Sequence, residues 1–257
     1  MGIDHVPVVV NELGSVKQIL KDSLFFKIKD GRAHAGVLNC FVKFQDGTYL
    51  EFTMPVDSIK SIGSYYTNFL KHRQGATQMV ISISSAEAVA KYFTNHSLPF
   101  ELSENKVWKT VVPKGADLFY IDYANKDWKE TKSNTTHDNG AIALNSVYVL
   151  TGQMRTAISE YEKYGMQIQS EGTFMHIPYK EFMAGKNSLR LCDVSFASDL
   201  LAKFKSPDLN GICGFEIKVA SLADFKMLLP QMSTVIIESN QIIYFLEGYN
   251  LFFVFVE

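Results

Sequence analysis

Runs of apolar, β-forming residues alternate with segments of helical periodicity along the chain. The first run, GIDHVPVVV, predicts a buried strand over residues 2–10, and apolar positions then recur at helical spacing over 13–20. FFKIKDGR predicts a short strand. Residues 36–55 predict a hairpin, because Asp46-Gly47 is a turn dipeptide between two arms rich in β-formers. The resulting order is one strand, one helix and three strands.

The same order returns three more times, beginning near residues 75, 141 and 211. Residues 57–74 connect the first two rounds, and residues 194–210 occupy the same place between the last two. One βαβββ module buries a single face of a small sheet, so pairing two modules lets their sheets curl around a shared cavity. The pattern predicts an α+β fold of four βαβββ modules in two pairs, with curved mixed sheets around a cavity and helices outside.

A polar stretch with few apolar anchors divides the two pairs. It reads NKDWKETKSNTTHDNG and ends where the third round begins. We therefore predict a first paired domain over residues 1–124, a linker over 125–139 and a second paired domain over 140–257.

Composition limits the function classes. The chain has 257 residues and a net charge of −2, which gives no basic field for nucleic acid or an anionic membrane. The apolar runs are too short to span a bilayer, and the start lacks a secretory leader. The three cysteines are widely spaced, form no zinc motif or disulfide framework, and favour a reduced cytoplasm. The sequence leaves open whether the protein is a monomer or a homodimer.

Paired βαβββ modules resemble the vicinal oxygen chelate superfamily, which includes glyoxalases, extradiol dioxygenases and bleomycin- or fosfomycin-resistance proteins. Within it, GIDHVPVVV, FVKFQDGTYLEF, FYIDY and HDNGAIALNSVYV are similar to glyoxalase-like domain proteins of bacteria. The resemblance implies a small-molecule ligand and a divalent metal in the cavity of two modules. Each module supplies a His or Gln from its first strand and a carboxylate from its last.

Transferred to this chain, the resemblance implies four metal ligands. The first module offers His5 in IDHV and Glu51 in YLEF, and the second offers Gln78 in ATQM and Asp122 in FYIDY. One imidazole, one amide oxygen and two carboxylates suit Zn, Ni, Mn or Fe(II). The metal acts as a Lewis acid, and Glu51 or Asp122 moves a proton, so both acids are also candidate catalytic residues.

The residues themselves also allow a purely structural interpretation. His5 could be a strand histidine bonded to the backbone, and Glu51 could lie on a solvated outer face. Burying Glu51 alone is costly, so a cavity role is preferred for it. Gln78 depends on the strand register, since a slip of one residue turns it away. Asp122 lies close to the polar linker, where a solvated or capping role competes with metal binding.

Three further residues are candidates for a substrate pocket: His34, Asn39 and Tyr120. The face that Asn39 occupies depends on the Asp46-Gly47 turn. A two-residue turn places Asn39 away from Glu51, whereas a three-residue turn with a glycine bulge places both on one side.

In the second pair the corresponding positions carry poor ligands. They are Ser146, approximately Arg190, Gly214 and approximately Phe252. The second pair is therefore predicted to be a degenerate copy that stabilises the first pair, forms a dimer surface or holds a different ligand.

Three function hypotheses follow. A metal-dependent lyase, isomerase or dioxygenase-type enzyme requires His5 and Glu51 to face one another. A non-catalytic, drug-sequestering binding protein requires an open apolar pocket. A structural or dimerisation module requires a cavity filled by side chains. The sequence leaves open whether the chain is an enzyme.

Overall fold

The computed structural model describes residues 2–125, 130–206, 209–229 and 234–257. The first half of the chain forms one mixed sheet, sheet 1. Its strands are β1 (Gly2–Val9), β2 (Lys29–Asp30), β3 (Val37–Lys43), β4 (Tyr49–Pro55), β5 (Gly75–Ala76), β6 (Met79–Ser82), β7 (Phe100–Glu104), β8 (Trp108–Pro113) and β9 (Leu118–Tyr123).

The strand order of sheet 1 is β2-β3-β4-β1-β6-β9-β8-β7, with β5 also paired to β1. The first strand of each module pairs in parallel with the last, as β1 with β4 and β6 with β9. The two modules meet where β1 and β6 run antiparallel. Sheet 1 is therefore two βαβββ modules joined side by side.

The second half of the chain repeats this arrangement as sheet 2, in the order β11-β12-β13-β10-β14-β17-β16-β15. Its strands are β10 (Ala141–Thr151), β11 (Ile168–Phe174), β12 (Ile177–Ala184), β13 (Asn187–Asp193), β14 (Gly211–Val219), β15 (Val235–Ile237), β16 (Ile242–Leu246) and β17 (Leu251–Val256). The predicted α+β fold of four modules in two pairs is confirmed, and both sheets are curved and mixed.

Each module carries one helix between its first and second strands, and each pair has a connector helix. The module helices are α1 (Leu13–Gln18, continued by a π-helical turn over Ile19–Ser23), α3 (Ala86–Asn95), α5 (Met154–Lys163) and α7 (Leu222–Leu228). The connector helices are α2 (Ser61–Leu70) and α6 (Ser198–Phe204), and a short helix α4 (Lys132–Thr135) precedes sheet 2.

One hydrophobic core lies between the two sheets and includes residues from both halves of the chain. The module helices pack into it through buried aromatic residues such as Phe93 of α3 and Tyr161 of α5. Phe26 of the first half touches Phe253 of β17 at a ring-centroid distance of 5.9 Å. We call the faces turned toward this core the core faces, and the opposite face of each sheet its site face.

The two connector helices lie on the site faces. α6 buries Leu200 and Phe204 in a separate cluster on the site face of sheet 2. In sheet 1, Tyr66 of α2 is hydrogen-bonded to Thr77 and lies within electrostatic range of Glu51. The module helices thus lie on the core side, and the connectors cover the opposite side.

The segment predicted as a linker is anchored to sheet 1. His137 is buried between Phe26 and Phe44, accepts a hydrogen bond from the Lys27 amide at 2.9 Å and donates one to the Lys43 carbonyl at 2.9 Å. Within the predicted linker, residues 126–129 lie outside the described residues, as do residues 207–208 of the second connector and 230–233 at the predicted end of the fourth module helix.

Two helix boundaries follow the sequence signals. Ser85 accepts a hydrogen bond from the Ala88 amide and caps α3, a position at which serine is favoured. Gly165 lies two residues beyond the end of α5 with a φ of +85°, in the left-handed region that glycine tolerates and that ends many helices. Among the described residues, no helix combines the length and apolar content that a membrane crossing needs.

Candidate functional site

His5 and Glu51 share the site face of sheet 1. Val6 and Leu50, their neighbours along β1 and β4, belong to the core on the opposite side. The register pairs His5 with Tyr49 and Pro7 with Glu51. The imidazole and the carboxylate are therefore diagonal neighbours on adjacent parallel strands, two residues apart in the register.

A β-bulge adds Asp4 to the same face. Ile3 pairs with Ile81 and His5 with Val80, so the strand carries one extra residue between them. Asp4 and His5 therefore both oppose Val80, although they are consecutive in the sequence. The Asp4 carboxylate accepts a hydrogen bond from His5 Nδ1 at 2.6 Å and another from the Tyr123 hydroxyl at 3.1 Å.

His5 and Glu51 face each other across a short gap. His5 Nε2 lies 3.7 Å from Glu51 Oε2, and the two side chains are 8 % and 16 % exposed. The His5 ring stacks on Tyr49 with a centroid distance of 4.4 Å and an interplanar angle of 10°. With Nδ1 donating to Asp4, the lone pair of Nε2 points toward the carboxylate.

Asn39 joins the site as a support for Glu51. The β3–β4 hairpin pairs Asn39 with Thr53 and Phe41 with Glu51, which places all four on one face. Asn39 Nδ2 donates to Glu51 Oε1 at 2.7 Å, and the Thr53 hydroxyl donates to the same oxygen at 3.2 Å. Of the two turns considered for this hairpin, the structure has the outcome that puts Asn39 beside Glu51.

Tyrosines surround this pair. Burial, reinforced by nearby Asp4 and Glu51, raises the pKa values of Tyr49 and Tyr123, and the Tyr49 hydroxyl is hydrogen-bonded to Tyr123. Burial and Glu51 likewise raise the pKa of Tyr66, which α2 brings over the site. The three phenols are therefore neutral donors at ordinary pH.

Gln78 lies on the site face of the second module. Met79 and Ala76 belong to the core. Val8 pairs with Ala76 and His5 with Val80, so the segment between them carries one extra residue, which lets both Thr77 and Gln78 turn away from the core. The Thr77 amide donates to the Pro7 carbonyl, and Pro7 pairs with Glu51 on its other side. This segment therefore lies across β1 from Glu51. Gln78 is half-buried, and no hydrogen bond of its side chain is found within the described residues.

Asp122 is not brought to His5 and Glu51. Its Oδ2 accepts a hydrogen bond from the Ala86 amide at the start of α3, at 3.0 Å. Tyr120, two residues earlier, is in the core, so Asp122 lies on the side of the module helix rather than the site face. The capping role weighed for Asp122 is the one that the structure has.

The second half repeats this arrangement. Val80 pairs with Phe119, and Glu216 at the matching position pairs with Val254, so the counterpart of Asp122 is Glu257 rather than Phe252. Glu257 accepts from the Leu222 amide at the start of α7, at 2.8 Å. The acidic residue at the end of the last strand is therefore a helix-capping device in both halves.

Two of the predicted pocket residues lie elsewhere. Tyr120 points into the core, where its hydroxyl donates to the Tyr164 carbonyl at 2.6 Å. The site-face tyrosine of β9 is Tyr123, because side chains alternate along the strand. His34 is exposed in the turn before β3, with Nδ1 3.1 Å from the Arg32 carbonyl oxygen.

The donor set gives a partial fit to a divalent metal. The gap between Nε2 of His5 and Oε2 of Glu51 suits two atoms bonded to one ion at about 2.0–2.2 Å each. Gln78 is the third donor type on this face. In the described parts of the chain, however, no group of three or more His, Cys, Asp and Glu side chains is arranged to hold a metal ion. An ion placed here would have two strong ligands, His5 and Glu51, one candidate amide and positions left for solvent or substrate.

The site face of sheet 2 has lost this chemistry. Ser146 stands in the place of His5 and Arg190 in the place of Glu51, by the matching register of β10 with β13. Arg190 pairs with Glu216 and Glu181, and its guanidinium lies 5.3 Å from the Tyr148 ring centroid. A basic group with two acidic partners thus occupies the position of the first site.

Aromatic side chains fill the rest of that face. Gly214 replaces Gln78, and a Cβ at this position would lie 2.2 Å from the Phe252 ring. Phe174 and Phe204 stack against Phe252 at 5.0 and 6.4 Å. The second pair is a copy whose site face is filled by side chains. Glycine stands at the position of Gln78 because the Phe252 ring leaves no room for a side chain there.

Two surface cavities lie away from the pair of His5 and Glu51. One of about 690 Å³ is bordered by α7 and the turn after β15, and one of about 220 Å³ lies between the halves beside Asp117 and Tyr161.

Sequence reasoning missed Tyr49, Tyr66 and Tyr123 as site residues. Alternation with Glu51 would have indicated Tyr49, but nothing in the sequence marks the side that α2 covers.

The fold is that of the class of vicinal oxygen chelate proteins. The family described as "Glyoxalase-like domain" matches residues 3–165, which is more than half of the chain, and the protein belongs to that family. No curated protein matches the sequence.

Solved structures share the fold at low identity. A hypothetical protein from Staphylococcus aureus is similar with a TM-score of 0.67 and 14 % identity, covering 98 % of this chain and 97 % of that one. A mutant of 4-hydroxymandelate synthase from Streptomyces coelicolor gives 0.66 and 13 %, covering 99 % and 91 %. A fusion protein of a xylose isomerase-like TIM barrel and 4-hydroxyphenylpyruvate dioxygenase gives 0.68 and 11 %, covering 99 % and 49 %.

Proposed function

We propose that the protein binds a small oxygen-bearing molecule on the site face of sheet 1, at a divalent metal ion held by His5 and Glu51 and completed by the Gln78 amide oxygen. One observation carries the proposal. The imidazole nitrogen and the carboxylate oxygen face each other at 3.7 Å, and their other polar atoms are already engaged by Asp4 and Asn39.

The residues around the pair support a site for ligand rather than a packed core. Burying two carboxylates and an imidazole is costly, and the hydrogen bonds from Asn39 and to Asp4 leave Glu51 Oε2 and His5 Nε2 facing one gap, where a ligand would compensate them. Phe41, Tyr49 and Tyr123 surround the cluster with rings, which favour a flat or apolar ligand body.

Once bound, the metal would supply Lewis-acid polarisation of a carbonyl or enediolate-type oxygen pair. Of the two acids predicted to move a proton, Glu51 is the one whose Oε2 faces the site, so the proposal gives it the base role. Tyr49 and Tyr123 hold the His5 side of the site, and the neutral Tyr66 phenol lies within electrostatic range of Glu51. Lyase or isomerase chemistry is the reaction class that this arrangement suits.

Elemental analysis tests the metal site. The purified protein, His5→Ala, Glu51→Ala and the control Asp122→Asn are stripped with chelator, reloaded separately with Zn²⁺, Mn²⁺, Ni²⁺ and Fe²⁺, and desalted. Wild type and Asp122→Asn are expected to retain one equivalent of at least one of these ions, and the other two variants to lose it. Equal, near-zero metal in all four proteins contradicts the proposal.

Non-catalytic binding of an aromatic compound is the second candidate function. It is favoured by the rings around the site and by the position of Asp122, which leaves the second module without an acidic ligand. The two functions separate when ligand binding is measured with and without chelator. Binding that persists undiminished in the metal-free protein supports sequestration.

A further inference from the structure

Asp4 has a role that the metal site alone does not explain. Its carboxylate is 13 % exposed, and it accepts hydrogen bonds from the imidazole beside it and from the Tyr123 hydroxyl of β9. In a regular strand Asp4 would point to the core side, opposite to His5. The bulge that sets Ile3 against Ile81 and His5 against Val80 brings it to the site face.

This contact determines which imidazole nitrogen is free. A carboxylate can only accept, so the short contact to Asp4 assigns the proton of neutral His5 to Nδ1. Nε2 then carries the lone pair, and it is the atom that faces Glu51 at 3.7 Å. The opposite tautomer would place an N–H between the two groups and favour a direct hydrogen bond that closes the gap.

The ring is restrained in two directions. Stacking on Tyr49 fixes the plane of the imidazole, and Asp4 fixes its rotation within that plane. Asp4 is in turn held by Tyr123, which is hydrogen-bonded to Tyr49. The restraints therefore form one connected set that joins β1, β4 and β9.

The second half of the chain provides an internal comparison. Its first strand has the same bulge, with Leu144 opposite Ile217 and Ser146 opposite Glu216. Asn145 takes the place of Asp4, but it donates to Glu216 and has no imidazole beside it. The bulge is thus a property of the module, whereas the carboxylate–imidazole pair belongs to the first site.

We infer that Asp4 is a positioning residue, brought to the site face by a β-bulge, that holds His5 in the Nδ1-protonated tautomer and aims its Nε2 lone pair at the site. The inference rests on the proposed function in that the free Nε2 is the proposed metal ligand. The tautomer itself is a property of the metal-free protein.

Nitrogen-15 NMR of the metal-free protein tests the inference. Long-range ¹H–¹⁵N spectra of the histidines, with His5 assigned from His5→Gln, are compared for wild type, Asp4→Asn and the matched control Asp122→Asn. Wild type and the control are expected to show unprotonated Nε2. In Asp4→Asn the amide can donate to Nδ1, so the proton is expected to move to Nε2. Protonated Nε2 in wild type, or an unchanged tautomer in Asp4→Asn, overturns the inference.

Calorimetric titration with Zn²⁺ and Mn²⁺ gives the functional consequence. Loss of a carboxylate that orients a ligand histidine weakens metal binding by about 10- to 100-fold. That loss is expected for Asp4→Asn and not for Asp122→Asn. If wild type shows the expected tautomer but binds neither ion, the positioning role stands and the proposed metal function fails. Wild-type affinity in an Asp4→Asn protein whose tautomer has changed overturns the role in metal binding.

Discussion

The face of the strand on which an acidic side chain lies decides what that side chain can do in this protein. Glu51 lies between two apolar neighbours, and strand alternation alone places it opposite to them, on the face of His5. Asp122 follows the same pattern between Ile121 and Tyr123, yet it lies on the helix side. Alternation separates two faces but does not say which one holds the site, and aligning FYIDY with YLEF assigned Asp122 to the wrong one.

Asp4 illustrates a second limit. A bulge changes the face of one residue without a composition signal, because here neither glycine nor proline marks it. A regular strand would have hidden Asp4 from the site. The carboxylate that partners the His5 imidazole could therefore be found only from the strand register.

Replacing Asp122 with Ala tests its assignment as a cap. The Ala86 amide at the start of α3 loses a charged acceptor, which should lower the free energy of unfolding by about 1–2 kcal/mol. Urea denaturation measures the loss, and the metal content should stay that of wild type. Unchanged stability with reduced metal binding would return Asp122 to the ligand set.

His137 makes stability depend on pH. Burial lowers its pKa, against smaller opposing effects of the Lys43 carbonyl and Asp138. In addition, Nδ1 accepts a hydrogen bond from the Lys27 amide, so this nitrogen must stay unprotonated in the folded protein. A folded-state pKa below the unfolded value means that its contribution is complete above pH of about 6.5 and is lost as the pH falls.

The stability difference between wild type and His137→Gln measures this contribution. It should be largest near pH 8 and shrink progressively toward pH 5 in urea denaturation curves. A difference that is constant over this range, or that grows on acidification, contradicts the assignment of a neutral, clamped imidazole.

At the level of elements, the repeated strand and helix pattern was enough to predict four modules. The position of the connectors could not be predicted, since α2 has one buried residue, Gly63, and the apolar spacing of the helix does not say which face of the sheet it covers. What seats α2 is a close backbone approach. A Cβ on Gly63 would lie 2.0 Å from the Asp57 carbonyl oxygen and 2.8 Å from that of Gly36.

Substituting Gly63 with Ala should therefore displace α2 and remove Tyr66 from Glu51. We expect a loss of about 1–3 kcal/mol, since the obstacle is backbone that cannot rotate away. The control is Gly14→Ala in α1, where the nearest atoms belong to the flexible Glu12 side chain and the change should be neutral or slightly stabilising. Chemical denaturation compares the two, and equal effects would contradict the seating of α2.

At the scale of the whole molecule, the two halves share one core. Phe26 and Phe253 meet across it, and the Tyr161 hydroxyl of α5 donates to Asp117 of the first half at 2.7 Å. The sequence predicted two domains and a linker. It could not show that their core faces meet, because such a contact leaves no local periodicity.

A shared core predicts cooperative unfolding. Differential scanning calorimetry should show one transition whose calorimetric and van't Hoff enthalpies agree, because neither half can lose its core face without exposing the other. Two resolved transitions would show that the halves are independent domains.

The central claim is that His5 and Glu51 form a site for a divalent ion that the second half has lost. Anomalous diffraction from crystals loaded with Mn²⁺ or Zn²⁺ tests it most directly. The account predicts one strong peak within bonding distance of His5 Nε2 and Glu51 Oε2, and no peak beside Arg190. A loaded crystal with no density between His5 and Glu51, or with the ion bound at Asp122, would contradict it.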